Sequence, residues 1–168
     1  GFHTKKFSVC DDYMTPKYAW EAIKNFIPKN KIIWESFYGD GTSGKYLSEL
    51  GFEVIHKEVD FFENNLGDIV ISNPPFNDTK NIIKRIKELK KPFKLILPTS
   101  KIMNSYFREF QKDNKFPLQI IIPRKRIQFK KMVDGVVPEN YKSCCNFDCF
   151  YYCWKIGLEK DITFLEEI

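Results

Sequence analysis

Apolar residues recur at helical spacing in some stretches of the chain and form short continuous runs in others. Tyr18, Ala19, Ala22, Ile23, Phe26 and Ile27 fall on one helical face. Thr15-Pro16 predicts the start of that helix, with Thr15 as cap and Pro16 in the first turn, and Pro28 marks its end. A strand is predicted over Lys31 to Glu35, then a Gly-rich turn, Gly39-Asp40-Gly41-Thr42-Ser43-Gly44, and a helix from about Ser43 to Leu50 stopped by Gly51. Phe52 to His56 and the more uniformly apolar Asp68 to Ser72 read as two further strands. Asp78 or Thr79 caps a helix through about Lys90, with Ile82, Ile83, Ile86 and Leu89 facing inward. The rest reads as a strand at Phe93 to Leu97, a helix over Ser100 to Lys115, and strands at Leu118 to Ile122, Arg126 to Phe129 and Phe147 to Lys155. Strand–helix alternation with a strand-rich end predicts α/β architecture with a mixed sheet. Without repeats or a low-complexity linker, residues 1–168 are expected to form a single domain with no separate large target-recognition domain.

Composition narrows the class. At 168 residues the chain can hold one complete α/β core, and 43% apolar with 16% aromatic content is that of a packed protein. No apolar run approaches the roughly 20 residues needed to span a bilayer. The N-terminal Gly1-Phe2-His3-Thr4-Lys5-Lys6 lacks a secretory apolar stretch, so a soluble intracellular protein, cytoplasmic or nuclear, is expected. Cys10, Cys144, Cys145, Cys149 and Cys153 are an odd number without the C-x2-C spacing of zinc hooks. Cys145, Cys149 and Cys153 share one strand parity, which favours buried thiols, and no metal is expected.

Charge is unevenly placed. Thr79 to Lys131 holds sixteen Lys and Arg against Glu88, Glu109 and Asp113, whereas the remainder holds eleven basic and nineteen acidic residues. One face is thereby expected to meet a polyanion.

Two motifs carry chemistry. The Gly-rich turn joins a strand to a helix, where a small ligand approaches backbone amides. It lacks the phosphate-loop spacing, since Gly44-Lys45 is followed by Tyr46. Gly39, Gly41 and Gly44 match the dinucleotide G-x-G-x-x-G spacing, but His56 and Lys57 stand where that motif places an acid. Asn73-Pro74-Pro75-Phe76 cannot extend its strand, because two prolines remove two backbone donors. An aryl amine is a poor nucleophile while its lone pair is delocalised into the ring. The Asn73 oxygen and the Pro74 carbonyl are placed to accept two amine hydrogens, Pro75 stiffens the loop, and Phe76 offers a stacking face.

In this combination the sequence resembles the S-adenosylmethionine-dependent amino-methyltransferases, in particular the N6-adenine group. The resemblance covers roughly Tyr13 to Trp154: Tyr13-x-Thr15-Pro16, then Trp34-Glu35-Ser36-Phe37-x-Gly39-Asp40-Gly41, Asp60-Phe61-Phe62 and Asn73-Pro74-Pro75-Phe76. It implies a Rossmann-like class I methyltransferase fold, a mixed seven-stranded or slightly abbreviated sheet with flanking helices. It also implies S-adenosylmethionine as cofactor and S-adenosylhomocysteine as product. Tyr13, Thr15, Pro16, Glu35, Phe37, Gly39 and Gly41 would line the pocket for the cofactor's methionine portion, and Asp40, Glu58 and Asn73 would also bind the cofactor. Asp60 and Phe61 would meet its adenine. The family's ribose-binding carboxylate is replaced by His56 and Lys57, with Glu58 the nearest acid, and the short stretch before Asp60 predicts an abbreviated sheet edge.

Pro123-Arg124-Lys125-Arg126-Ile127-Gln128-Phe129 resembles the basic strand-turn that these enzymes place near the target base. Arg124, Lys125 and Arg126 would meet phosphates, with Lys130 and Lys131 leading into a substrate loop toward Asn140. Phe129 is either a ring beneath a flipped base or a buried strand residue. The resemblance implies methylation of adenine N6 in DNA. The alternatives are RNA, including a cap-proximal adenosine, a protein glutamine side chain, and an inactive nucleic-acid-binding partner subunit. DNA is the favoured partner, no membrane is expected, and so short a chain leaves room for a second copy or a partner subunit.

Overall fold

The computed structural model describes residues 13–113, 115–131 and 147–166. The segments that are most continuously apolar become the middle of a sheet. β2 (Ile33–Trp34), β4 (Ile69–Ser72) and β5 (Phe93–Pro98) run parallel, with β3 (Val54–Ile55) parallel on the outer side of β2. All four residues of β4 are buried, as expected of a parallel strand covered on both faces. β8 (Cys149–Trp154) lies antiparallel between β5 and β6 (Gln119–Ile122), and β9 (Ile162–Phe164) adds a parallel strand beyond β6. The order is β3-β2-β4-β5-β8-β6-β9. A parallel Rossmann-like sheet with one antiparallel strand inserted near its far side is the class I methyltransferase fold. The sheet ends at β3, so the edge is abbreviated where the sequence predicts it, and β9 brings the count to seven.

Alternating side chains divide the core in two. Ile69, Ile71 and Ile96 face α1 (Lys17–Glu21) and α2 (Thr42–Glu49), packing with Ala19, Trp20 and Leu47. Val70, Leu95 and Leu97 face α3 (Thr79–Leu89) and α4 (Ser105–Arg108), packing with Ile82, Ile83, Ile86 and Phe107. Cys149 and Cys153 are buried in the first layer, whereas Cys10, Cys144 and Cys145 lie outside the described residues.

Several local expectations are corrected. Pro16, not Thr15, takes the cap position of α1, and the helix is only five residues long before a 3₁₀ turn at Lys24–Phe26. That turn ends where the buried Lys94 donates from Nζ to the Phe26 carbonyl. The helix expected over Ser100 to Lys115 is broken into the 3₁₀ turn Thr99–Met103, α4 and a second turn at Glu109–Lys112. Asn104 causes the break: its backbone is extended, and its side chain satisfies the Lys101 carbonyl that a continuous helix would have used. Arg126 to Phe129 forms no strand. Only β7 (Lys130–Lys131) pairs there, antiparallel with β1 (Tyr13–Met14). Among the described residues no helix is long and apolar enough to cross a membrane.

Candidate active site

In a sheet of this kind the chain leaves β2 toward one side and β4 toward the other, opening a crevice at their carboxyl ends. Glu35 and Ser36 follow β2 there, and Ser72 and Asn73 close β4. The two strands are tied at this point, because the Ser72 hydroxyl donates to Glu35 Oε1. The same oxygen accepts the Phe37 N–H at 3.0 Å. Glu35 is 1% exposed, and burial pushes its carboxyl up to about 8, against the pull of those two hydrogen bonds.

Among the described residues, three polar side-chain atoms around this crevice are buried with no hydrogen-bond partner: Thr15 Oγ1, Ser36 Oγ and Asn73 Oδ1. Buried polar atoms are ordinarily satisfied, so orphans gathered at a crevice fit a polar ligand. The Asn73 amide is oriented by its other end, which donates from Nδ2 to the Tyr13 carbonyl at 3.3 Å. Pro74 and Pro75 are buried and Phe76 is half-buried, so the loop is rigid behind an accessible ring.

The Gly-rich turn forms the crevice's other wall. Gly39 and Gly41 have φ of 61° and 84°, a left-handed conformation that glycine adopts without strain. Met14 of β1 reaches this turn, its sulfur 3.4 Å from where a Gly39 Cβ would stand. β1 therefore touches both the glycine turn and Asn73. Asp40 Oδ1 accepts from the Thr42 N–H at 2.9 Å and its hydroxyl at 2.6 Å, fixing the start of α2. Gly44 serves packing: a Cβ there would stand 2.3 Å from His56 Cγ. His56 stacks on Tyr38, with ring centroids 6.1 Å apart, and its Nδ1 is buried without a partner. Glu58 is exposed.

On the Asp60 loop, the carboxylate accepts the Phe62 N–H at 2.8 Å. Phe61 is fully buried between Trp34 and Phe37, and Phe62 is the half-buried ring of this loop. Phe61, expected to meet a cofactor's adenine, packs in the core, and Phe62 is the more accessible of the two rings.

The accessible side of Asn73-Pro74-Pro75-Phe76 is walled by rings. Phe147 lies edge-on to Phe76 at 5.4 Å and to Tyr13 at 5.6 Å, and stacks on Phe129 at 5.8 Å. Phe129 is wholly buried and joins the core. Phe147 was missed as a site residue because it is distant in sequence and reads as an ordinary strand start. Only the insertion of β8 beside β5 brings it here.

The basic residues divide into groups. Arg126 forms a two-pronged ion pair with Asp148, at 2.9 and 3.3 Å, and Arg124 donates to the Glu166 carbonyl at 3.2 Å. Lys125 and Lys130 are exposed, and Lys131 pairs through its backbone with Tyr13. The stretch from Met132 to Asn140 lies outside the described residues. Lys91 and Lys94, counted in the basic segment, are buried struts: Lys91 donates to the Leu66 and Gly67 carbonyls. Among the described residues no group of three or more His, Cys, Asp or Glu is placed to hold a metal ion.

No family model matches the chain, and neither does any curated protein. Among solved structures, it is similar to the precorrin-6y C5,15-methyltransferase of Geobacter metallireducens GS-15. The two align with a TM-score of 0.46 and 10% identity over 92% of this chain and 96% of that one.

Proposed function

We propose that this chain transfers a methyl group from S-adenosylmethionine to the N6 amine of adenine in a nucleic acid, DNA in the first instance. The observation that carries this reading is the Asn73 amide. Its Nδ2 is held by the Tyr13 carbonyl, and its Oδ1 is left buried and unpartnered beside the crevice. An acceptor so placed suits a ligand that brings an N–H.

Adenine brings two. With one amine hydrogen on Asn73 Oδ1 and the other on the Pro74 carbonyl, the nitrogen lone pair turns out of conjugation toward the methyl donor. Pro74 and Pro75, both buried, keep these acceptors from swinging away. Phe76 stacks on the base, and Tyr13 and Phe147 border it. Once the nitrogen is tetrahedral its proton is acidic and leaves to solvent, so no strong base is required. When bound, S-adenosylmethionine supplies an electrophilic methyl group on sulfur. Thr15, Pro16, Glu35, Phe37, Gly39, Asp40 and Gly41 would hold its methionine portion, and Asp60 with the neighbouring Phe62 its adenine. An adenine within a duplex has to leave the stack to reach this loop.

The test is methyl transfer from labelled cofactor to DNA and RNA of matched sequence, followed by digestion to nucleosides. Label in N6-methyladenine supports the reading, and the preferred polymer decides between DNA and RNA. Cofactor binding without label in either polymer, but with label in a protein glutamine, would overturn it.

A further inference from the structure

If the proposed adenine chemistry is right, the strand that carries the target has to lie on a defined face of the protein. α3 begins directly beyond the catalytic loop, where Thr79 Oγ1 donates to the Phe76 carbonyl at 2.9 Å. Ile82, Ile83 and Ile86 turn inward, and Lys80, Lys84 and Lys87 share the opposite, exposed face. Lys80 and Lys84 form no ion pair among the described residues, whereas Lys87 is drawn toward Glu109 and lies 5.4 Å over the Phe110 ring. Acids on this face are few: Glu88 is exposed on α3, and the neighbouring Glu109 is held by Lys112 at 3.0 Å. At 1.5 Å rise per residue the lysine stripe is about 10 Å long. One nucleic-acid strand presents about three phosphates over that length.

The segment beside α3 adds an apolar tip. Met103, at 71%, is the most exposed large hydrophobic side chain among the described residues. It ends the turn Thr99–Met103, which leaves the carboxyl end of β5 on the same rim as Asn73. The turn is anchored at its start. Thr99 N–H donates to the Asp148 carbonyl at 2.9 Å, and Tyr152 Oη donates to the Pro98 carbonyl at 2.6 Å. Beyond the turn, the Tyr106 side chain is hydrogen-bonded to Thr79. An exposed apolar side chain on an anchored turn, with the exposed Lys80 and Lys84 and the catalytic loop nearby, suits a surface that meets both phosphates and bases.

We propose that the face formed by α3 and the Thr99–Met103 turn is the docking surface for the nucleic-acid strand. Lys80 and Lys84 contact phosphates next to the target, and Met103 is a wedge that occupies the stack when the adenine leaves it. This rests on the adenine reading above.

The experiment compares wild type, Lys80→Glu/Lys84→Glu, Met103→Ala and Met103→Leu on single-stranded and duplex DNA of one sequence. Lys29→Glu/Lys31→Glu, on a distant exposed segment, is the charge control. The α3 double variant is expected to raise KM on both forms about tenfold or more and to shallow the salt dependence by about 1–2 in log–log slope, with cofactor affinity and melting temperature kept. Met103→Ala is expected to lose about tenfold in kcat/KM on the duplex and under about twofold on the single strand, with Met103→Leu largely restoring it. Wild-type KM and salt slope in the α3 variant would overturn the surface. Equal effects of Met103→Ala on both forms, or no wild-type activity on a duplex, would overturn the wedge. Failure of wild type to methylate any polymer would defeat the adenine reading itself, a distinct result.

Discussion

Asn73 donates its side-chain N–H to the Tyr13 backbone carbonyl 3.3 Å away, and that bond decides which end of the amide faces the crevice. A carbonyl accepts and never donates, so it can hold only the nitrogen end. The oxygen end is then left for another partner, and among the described residues it is buried without one. Replacing Asn73 with Ala is expected to cut kcat about 100- to 1000-fold, as loss of one aimed hydrogen-bonding group does. Stability should change by only about 1–2 kcal/mol. Single-turnover rates and thermal melts measure the two effects.

Glu35 gives a pH prediction. Its folded-state value of about 8 lies above the ordinary carboxylate value of 4.5, because burial disfavours the charged form. The folded protein therefore holds a proton that the unfolded chain releases. The stability linked to this proton is fully present below about pH 4.5 and is lost as pH rises through about 8. The loss is on the order of 5 kcal/mol at most. Glu35→Gln keeps an acceptor for Phe37 N–H and the Ser72 hydroxyl, and should flatten that slope. Denaturant midpoints from about pH 5 to about pH 8 test this, and equal slopes for both proteins would refute it.

Gly44 and His56 form a packing pair. A Cβ at residue 44 would stand 2.3, 2.5 and 2.6 Å from His56 Cγ, Cβ and Nδ1, atoms near the root of the side chain that cannot swing aside. Gly44→Ala should destabilise by about 1–3 kcal/mol. Adding His56→Gly, which removes the Cβ as well as the ring, should recover much of that loss, so a double-mutant cycle should give a coupling of about 1 kcal/mol or more. Strict additivity would mean that the clash is relieved elsewhere.

The ring wall makes a prediction about substrate. Phe147→Ala removes the edge contacts to Phe76 and Tyr13. It is expected to weaken adenine-containing substrate by about 1–3 kcal/mol in kcat/KM, with little change in cofactor affinity. Equal losses in both would make Phe147 a packing residue only.

The sheet's middle was legible because β4 and β5 are short, continuously apolar runs bounded by turn formers, and Asn73-Pro74-Pro75-Phe76 was legible because two prolines cannot continue a strand. β9 was not, since Ile162 and Phe164 remain exposed at the edge and give no burial signal. The Ser100–Lys115 segment misled because its apolar spacing is helical while Asn104 satisfies the backbone another way. The basic count overstated the surface available to a polyanion, because composition does not distinguish buried Lys91 and Lys94 from exposed Lys80 and Lys84. Phe147 reaches the site only through the antiparallel insertion of β8, a long-range pairing that local pattern does not encode.

The most direct measurement is single-turnover methyl transfer to an adenine-containing oligonucleotide by wild type and Asn73→Ala, with the product digested and its nucleosides identified. Label in N6-methyladenine is expected for wild type, with a rate lower by about 100-fold or more for the variant. Label on another atom, or an unchanged rate in Asn73→Ala, would contradict it.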